Sequence, residues 1–181
     1  MIVLVDGPSG SGKTTLATRL GILLRLPVIH MDDFYPGWSG LAAGSDIIAT
    51  SVLKTTDPGY YRWDWVNDRA GEWVPVPPGA KIIEGAGAVT AETLRAASIS
   101  DHRVAAIMLT GEATTRYRRA MRRDPYYEPY WEMWSEQEKR HYAVQSQGLG
   151  DLVPTLWIDT TGLDAGQVVR RAYDFITYYV E

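Results

Sequence analysis

The chain has 181 residues, 45% of them hydrophobic and 22% charged, with a formal charge of −4; this is the composition of one soluble globular domain with a sizeable core, and it excludes disordered and collagen-like chains. It contains no cysteine, which removes disulfide frameworks, zinc ribbons, iron–sulfur sites and thiol nucleophiles. The acidic balance argues against a nucleic-acid partner, while small polyanions held by a local basic site stay open.

Met1 runs into an apolar segment with neither a basic region nor a small-residue cleavage site, so no export signal is expected. The apolar stretch Leu20 to Ile29 is interrupted by Arg25 and is shorter than the ~20 residues that cross a bilayer. The expectation is a cytoplasmic protein without a membrane partner.

In chain order, strands are predicted at Ile2 to Val5, Val28 to His30, Lys81 to Ile83, Val104 to Leu109 and Thr155 to Ile158, each short, apolar and partly β-branched. Helices are predicted at Lys13 to Leu24, about Gly44 to Lys54, Ala91 to Ala97, Glu112 to Arg123, about Tyr130 to Gln145, and Asp164 to Tyr179. Gly150 and Pro154 are expected to close the fifth helix ahead of the last strand. This alternation predicts an α/β fold with a parallel sheet and helices on both faces. Two stretches interrupt it: eight of the 20 aromatic residues lie between Phe34 and Trp73, and six more between Tyr126 and Tyr142. Asp57-Pro58-Gly59 and Val74-Pro75-Val76-Pro77-Pro78-Gly79 read as turns and loops. The reading is one domain over residues 1–181, with an insertion at about 34–79 and a second aromatic segment after residue 125.

The strongest chemical signal is Gly7-Pro8-Ser9-Gly10-Ser11-Gly12-Lys13-Thr14, a full match to G-x-x-x-x-G-K-[ST] between a predicted strand and a predicted helix. Glycines let backbone N–H groups converge on phosphates, and the helix N-terminus adds partial positive charge. Gly7, Ser9, Gly10, Ser11, Gly12, Lys13, Thr14 and Thr15 are therefore expected to bind ATP, with Lys13 on the β- and γ-phosphates and the Thr14 hydroxyl on Mg²⁺. Only four lysines occur in the chain, so the placement of Lys13 is informative.

Asp32 and Asp33 follow the second predicted strand, and Glu84 ends the third in Ile82-Ile83-Glu84-Gly85. In open α/β sheets ligands bind beyond the carboxyl ends of strands, so these acids are expected beside the phosphate loop. Asp32 there can take a proton from an attacking hydroxyl, and Glu84 can hold Mg²⁺ directly or through water. A lone aspartate is commonly a turn or cap residue; three acids at adjoining strand ends favour the site.

The phosphate loop, Asp32-Asp33-Phe34-Tyr35, Trp63-Asp64, Ile83-Glu84-Gly85 and a downstream Arg-Arg-Asp, in that order over roughly residues 1–145, resemble the uridine kinase and nicotinamide riboside kinase group of P-loop kinases. The resemblance implies a three-layer fold with sheet order 2-3-1-4-5 and a short arginine-bearing lid at about 116–131. It implies that Asp32 is the base for the acceptor hydroxyl, that Tyr35 lies on the acceptor side, and that Glu84 assists metal or acceptor binding.

Tyr60-Tyr61-Arg62-Trp63-Asp64-Trp65 combines aromatic faces suited to a planar base with a cation and a carboxylate suited to a vicinal diol. By the same resemblance Asp64 is expected on acceptor hydroxyls, with Arg62 beside it. Between Asp32 and Glu84 the cations are Arg62, Arg69, Lys54 and Lys81, a thin set for an acceptor phosphate.

Arg116, Arg118, Arg119, Arg122 and Arg123 fall on one predicted helix, where Arg116, Arg119 and Arg123 share a side and Arg118 and Arg122 another. Such repulsion is relieved by an anion or by surface acids such as Glu112 and Asp124. The resemblance assigns Arg119 and Arg123, then Arg122, to the transferring phosphoryl group. Asp124-Pro125 is expected to break the helix and allow closure over the phosphates. His30, His102 and His141 are not at metal-ligand spacing.

The function expected is an ATP- and Mg²⁺-dependent phosphoryl transfer to a hydroxyl of a small, nucleoside-like molecule. A monophosphate kinase and a regulatory ATPase without an acceptor are the alternatives. A GTPase switch is not expected, because no Asn-Lys-x-Asp segment is present.

Overall fold

A computed structural model describes residues 1–101, 103–145 and 152–180. Gly150 and His102 lie outside the described residues. Among those described, the chain forms a five-stranded parallel sheet and a separate two-stranded antiparallel hairpin. The sheet strands are β1 (Ile2–Asp6), β2 (Val28–His30), β5 (Lys81–Glu84), β6 (Val104–Thr110) and β7 (Thr155–Asp159), in the order β2-β5-β1-β6-β7. Counting sheet strands alone, this is the expected 2-3-1-4-5.

The alternation of side chains along β1 divides the core into two layers. Ile2 and Leu4 face a cluster built with Met31, Phe34, Tyr35, Leu41, Leu94 and Trp134. Val3 and Val5 face the opposite cluster, with Leu16, Ala17 and Leu20 from helix α1 (Lys13–Leu24) and Val168, Ala172 and Ile176 from α6 (Ala165–Val180). A strand buried on both faces has no polar face to show, which is why β1 and β6 read as near-continuous apolar runs. Helices α3 (Ala91–Ser100) and α4 (Ala113–Arg123) follow β5 and β6; α3 begins with a reciprocal cap between Thr90 and Thr93, which satisfies N–H groups the first turn leaves open.

The insertion departs from its sequence reading. The predicted helix at about Gly44 to Lys54 begins earlier, as α2 (Leu41–Ile47), and ends in a wider turn over Ile48–Val52. The aromatic segment beyond it, for which no element was predicted between two turn-like stretches, forms strands β3 (Gly59–Asp64) and β4 (Arg69–Pro75). Gly59 and Pro75 face each other as the last pair of that hairpin. Turn-type residues at strand ends had hidden two strands whose aromatic content is otherwise strand-like. Later, Asp124 breaks α4 as expected: its side chain accepts from the Tyr126 N–H in a tight turn over Pro125–Tyr127, and α5 (Glu128–Gln145) starts directly after it. Among the described residues no helix is long and apolar enough to cross a membrane.

Asp6, at the carboxyl end of the central strand, is fully buried. Its carboxylate accepts from the N–H groups of Gly7, Gly87 and Val89 and from the Tyr142 hydroxyl. Removing it strands buried donors that water cannot reach. Asp6→Ala is expected to lower unfolding free energy by about 3 kcal/mol in a denaturant titration, whereas Trp157→Ala on the exposed face of β7 is expected to stay within about 1 kcal/mol of the parent.

Candidate active site

The carboxyl ends of β1, β2, β5 and β7 open into one cavity of about 590 Å³. Its walls include Ser9 to Leu16, Asp32, Tyr35, Glu84, Ala86, Arg119, Arg122, Arg123 and Trp134, and, on the far side, Thr160, Leu163, Ala165 and Val168.

The phosphate loop takes its path because two of its glycines admit no side chain. Gly7 has φ +143° and a Cβ there would lie 2.3 Å from the Leu109 carbonyl oxygen; Gly10 has φ +77° and a Cβ would lie 2.1 Å from the Arg116 carbonyl oxygen. The second contact lets the loop pack directly on α4. Helix α1 starts at Lys13 with no side-chain cap on its first turn, leaving the N–H groups at its start for an anion. The Lys13 ammonium rests on the Pro8 carbonyl at 3.2 Å. Gly12, Thr14 and Thr15 lie on the same wall; Gly7 lies beneath it, buried against β6.

Asp32 sits in a tight turn, Met31–Asp33, directly after β2. The turn is held from outside by the hairpin: Trp65 Nε1 donates to the Asp32 carbonyl at 3.0 Å, and the Tyr60 hydroxyl to Asp33 at 3.2 Å. It is held from inside by Tyr35, whose buried hydroxyl donates to the Ala86 carbonyl at 2.8 Å. Asp32 is exposed at the cavity wall, with protein crowding its other sides. That loss of solvent, followed by the negative charge of Glu84, raises its pKa above the ordinary aspartate value, against the opposing pull of Lys13 and Arg123.

Glu84 is 2% exposed and its Oε1 lies 2.6 Å from His30 Nδ1. The pairing follows from register: His30 and Glu84 are directly opposite across the parallel β2–β5 pair, so both side chains leave the same face of the sheet. The hydrogen bond to Glu84 is the main cause that lifts the His30 pKa above 6.5, with burial opposing.

The arginines of α4 divide by partner. Arg116 donates to the Ser9 and Gly111 carbonyls, and Arg119 donates to the Thr160 hydroxyl and carbonyl at 3.0 and 2.8 Å. Arg122 and Arg123 reach the cavity wall, and Arg118 touches Thr115 at the surface. Among the described residues none of the five forms an ion pair with a carboxylate, so the surface acids considered above do not offset their charge.

Arg62 and Asp64 are not brought to the cavity. Arg62 pairs with Glu72 across the hairpin at 3.2 Å with both side chains exposed. The Asp64 carboxylate accepts from the N–H groups of Val66 and Asn67 and from the Asn67 side chain, the geometry of an aspartate that shapes a turn; those same bonds from Asn67 hold its pKa down. The placement of Asp64 by resemblance gives way to this local use, because a hairpin tip supplies unpaired N–H groups close at hand.

Several residues of the site carried no motif. Thr160 is buried and donates its hydroxyl toward the Ser11 and Thr110 carbonyls; its signal was its position just beyond β7, at the ligand edge of the sheet. Asp6 was detectable as an acid ending the apolar run Ile-Val-Leu-Val. Glu138, which holds Ser9 from α5, had no local signal. Among the described residues no cluster of three or more His, Asp or Glu groups is placed to hold a metal by itself.

No protein-family model matches the chain, and neither does any curated protein sequence compared with it. Solved structures do resemble it in shape. A gluconokinase from Sinorhizobium meliloti 1021 is similar with a TM-score of 0.62 at 15% identity, over 98% of this chain and 92% of that one. Shikimate kinase from Acinetobacter baumannii in complex with shikimate is similar with a TM-score of 0.60 at 14% identity, over 98% and 93%. A possible uridine kinase from Bacillus stearothermophilus is similar with a TM-score of 0.51 at 16% identity, over 86% and 88%. At these identities the likeness establishes the α/β fold of the P-loop kinases.

The His30–Glu84 pair gives a pH signature. A histidine whose folded-state pKa is raised contributes stability that is fully present below its unfolded value of 6.5 and is lost as pH rises through the folded value. The stability difference between the parent protein and His30→Gln, from denaturant titrations at a series of pH values, is expected to be largest in mildly acidic buffer and to shrink as the buffer turns alkaline. A difference independent of pH would show that the pair carries no proton linkage.

Proposed function

We propose that the chain is an ATP- and Mg²⁺-dependent kinase that transfers the terminal phosphoryl group to a hydroxyl of a small, nucleoside-like molecule in the cytoplasm. The observation that carries this reading is the single cavity in which the phosphate loop, the Asp32 carboxyl and the lid arginines Arg122 and Arg123 face one another. Kinase structures acting on different small molecules share the fold, which supports phosphoryl transfer as the class of reaction and leaves the acceptor to the site itself.

In this reading Lys13 and the amides of Gly10 to Thr15 hold the donor phosphates, and Leu163, Ala165 and Val168 supply an apolar wall for its base. Arg119, anchored to Thr160, and Arg123, with Arg122 beside it, place positive charge where the transferring group develops negative charge. Asp32 receives the acceptor's hydroxyl proton as its oxygen bonds to phosphorus and the bond to the leaving diphosphate breaks. The raised proton affinity of Asp32 favours that role.

Thr14, Asp32 and Glu84 present oxygen donors to the same cavity, the donor type a hard divalent cation takes. Thr14 and Glu84 would hold Mg²⁺, directly or through water, and the ion would neutralise phosphate charge. On the acceptor side Tyr35 and Trp134 meet edge to face with ring centroids 5.0 Å apart beside Asp32. These aromatic surfaces, not Arg62 or Asp64, now support a planar acceptor.

The test is ATP consumption with a panel of nucleosides, nucleoside monophosphates and sugars. Dependence on one hydroxyl acceptor is expected; dependence on a monophosphate would make the protein a monophosphate kinase, and acceptor-independent hydrolysis would make it a regulatory ATPase. Asp32→Asn is expected to keep nucleotide affinity and to lose about 10²- to 10⁴-fold in turnover. A raised carboxyl pKa means that folding disfavours the ionised form, so the same variant is expected to melt no lower than the parent at neutral pH. Lys13→Ala is expected to lose nucleotide binding itself, measured by calorimetry.

A further inference from the structure

Glu138 lies in the middle of α5 with its side chain 2% exposed, and the reaction as proposed makes no use of it. One oxygen of its carboxylate accepts from both the backbone N–H and the hydroxyl of Ser9, at 2.7 and 2.8 Å. Since the Ser9 hydroxyl proton is directed there, the Tyr127 hydroxyl is the donor in its 3.1 Å contact with Ser9 Oγ. On the opposite side Arg116 donates to the Ser9 carbonyl at 2.9 Å. The polar groups of this one phosphate-loop residue are thus divided between the two lid helices, the carbonyl to α4 and the amide and hydroxyl to α5.

Two donors converging on a single oxygen suit an ionised carboxylate. Burial raises the pKa of Glu138, and the Lys13 ammonium is the first of the influences that lower it. Lys13, whose ammonium rests on the Pro8 carbonyl at 3.2 Å in the same loop, is a cation whose field reaches both this carboxylate and an incoming triphosphate. A bound donor draws on the charge of Lys13 and sets its own negative charge against Glu138.

We propose that Glu138 is a positioning residue that acts as an internal anion of the phosphate loop: it pins Ser9 to α5, and its charge opposes occupation of the loop by the donor phosphates, so that donor binding loosens the seat of α5. This rests on the reading of the loop as a triphosphate site. Because α5 also carries Trp134, which walls the acceptor end of the cavity, donor arrival is coupled to the acceptor wall. Such coupling is reciprocal.

The test uses the full chain, a non-hydrolysable ATP analogue with Mg²⁺, calorimetry for affinity, and amide hydrogen exchange over residues 128–145. Glu138→Gln keeps an oxygen for both Ser9 donors and removes the charge. It is expected to bind the analogue about tenfold more tightly than the parent. In the parent, exchange in α5 is expected to quicken when the analogue binds, and in the variant this response is expected to be lost. A purely structural Glu138 predicts equal or weaker affinity in Glu138→Gln and no exchange response in the parent, and either result overturns the proposal. Should the variant fail to fold, the parent's exchange response decides alone. A parent that binds no analogue would overturn the triphosphate reading and this inference together, whereas a parent that binds it with the same affinity as the variant overturns only the latter.

Discussion

A carboxylate with no access to water must find its hydrogen-bond donors inside the protein, and the donors that Asp6 finds determine the layout of the carboxyl edge of the sheet. They come from the first residue of the phosphate loop, from the loop after β5, and from Tyr142 on α5. Each of these segments borders the cavity. The loop after β5 also carries Ala86, whose carbonyl holds the Tyr35 hydroxyl, and Tyr35 in turn backs the turn that presents Asp32. The position of a surface-accessible acid in the turn after β2 is therefore referred back, through two hydrogen-bonded steps, to a buried acid on β1.

The insertion does a different job from the one its residue types advertise. Its polar groups, Arg62 and Asp64, are spent on the hairpin itself, while its aromatic groups, Tyr60 and Trp65, grip the Asp32 turn from outside. Trp65 also packs against Trp38, which stacks on Tyr130 of α5 with ring centroids 3.9 Å apart and planes within 3°. The two aromatic-rich stretches noted in the sequence are thus one structure, a belt of rings that runs from the hairpin to α5. Rings suit this task because they bury large area with few rotatable bonds.

Charge is graded along the cavity. Lys13, Arg119, Arg122 and Arg123 line the wall toward the phosphate loop and α4, and Asp32 and Glu84 line the wall toward β2 and β5. The negative charge of Glu84 adds to the cost of ionising Asp32, and His30 pairs with Glu84 at the same edge. Glu138 is the exception, a negative group set behind the phosphate loop.

The strands, the phosphate loop and the acids at the ends of β2 and β5 were legible in the sequence because each depends on a short run of neighbours: two-faced burial demands a continuous apolar run, and an amide cradle demands glycine at set intervals. The break at Asp124-Pro125 was legible for the same local reason. The hairpin was not, since Gly59 and Pro75 at its ends are also loop residues, and only pairing between strands tells the two apart. Partner choice was decided by the tertiary structure alone: whether Asp64 meets a ligand or its own turn, whether Arg119 or Arg123 is free, and that Glu138 meets Ser9. Such outcomes turn on which groups a buried donor or charge finds within hydrogen-bond distance, and residues 129 positions apart in the chain, as Ser9 and Glu138 are, leave no trace of that meeting in either local sequence.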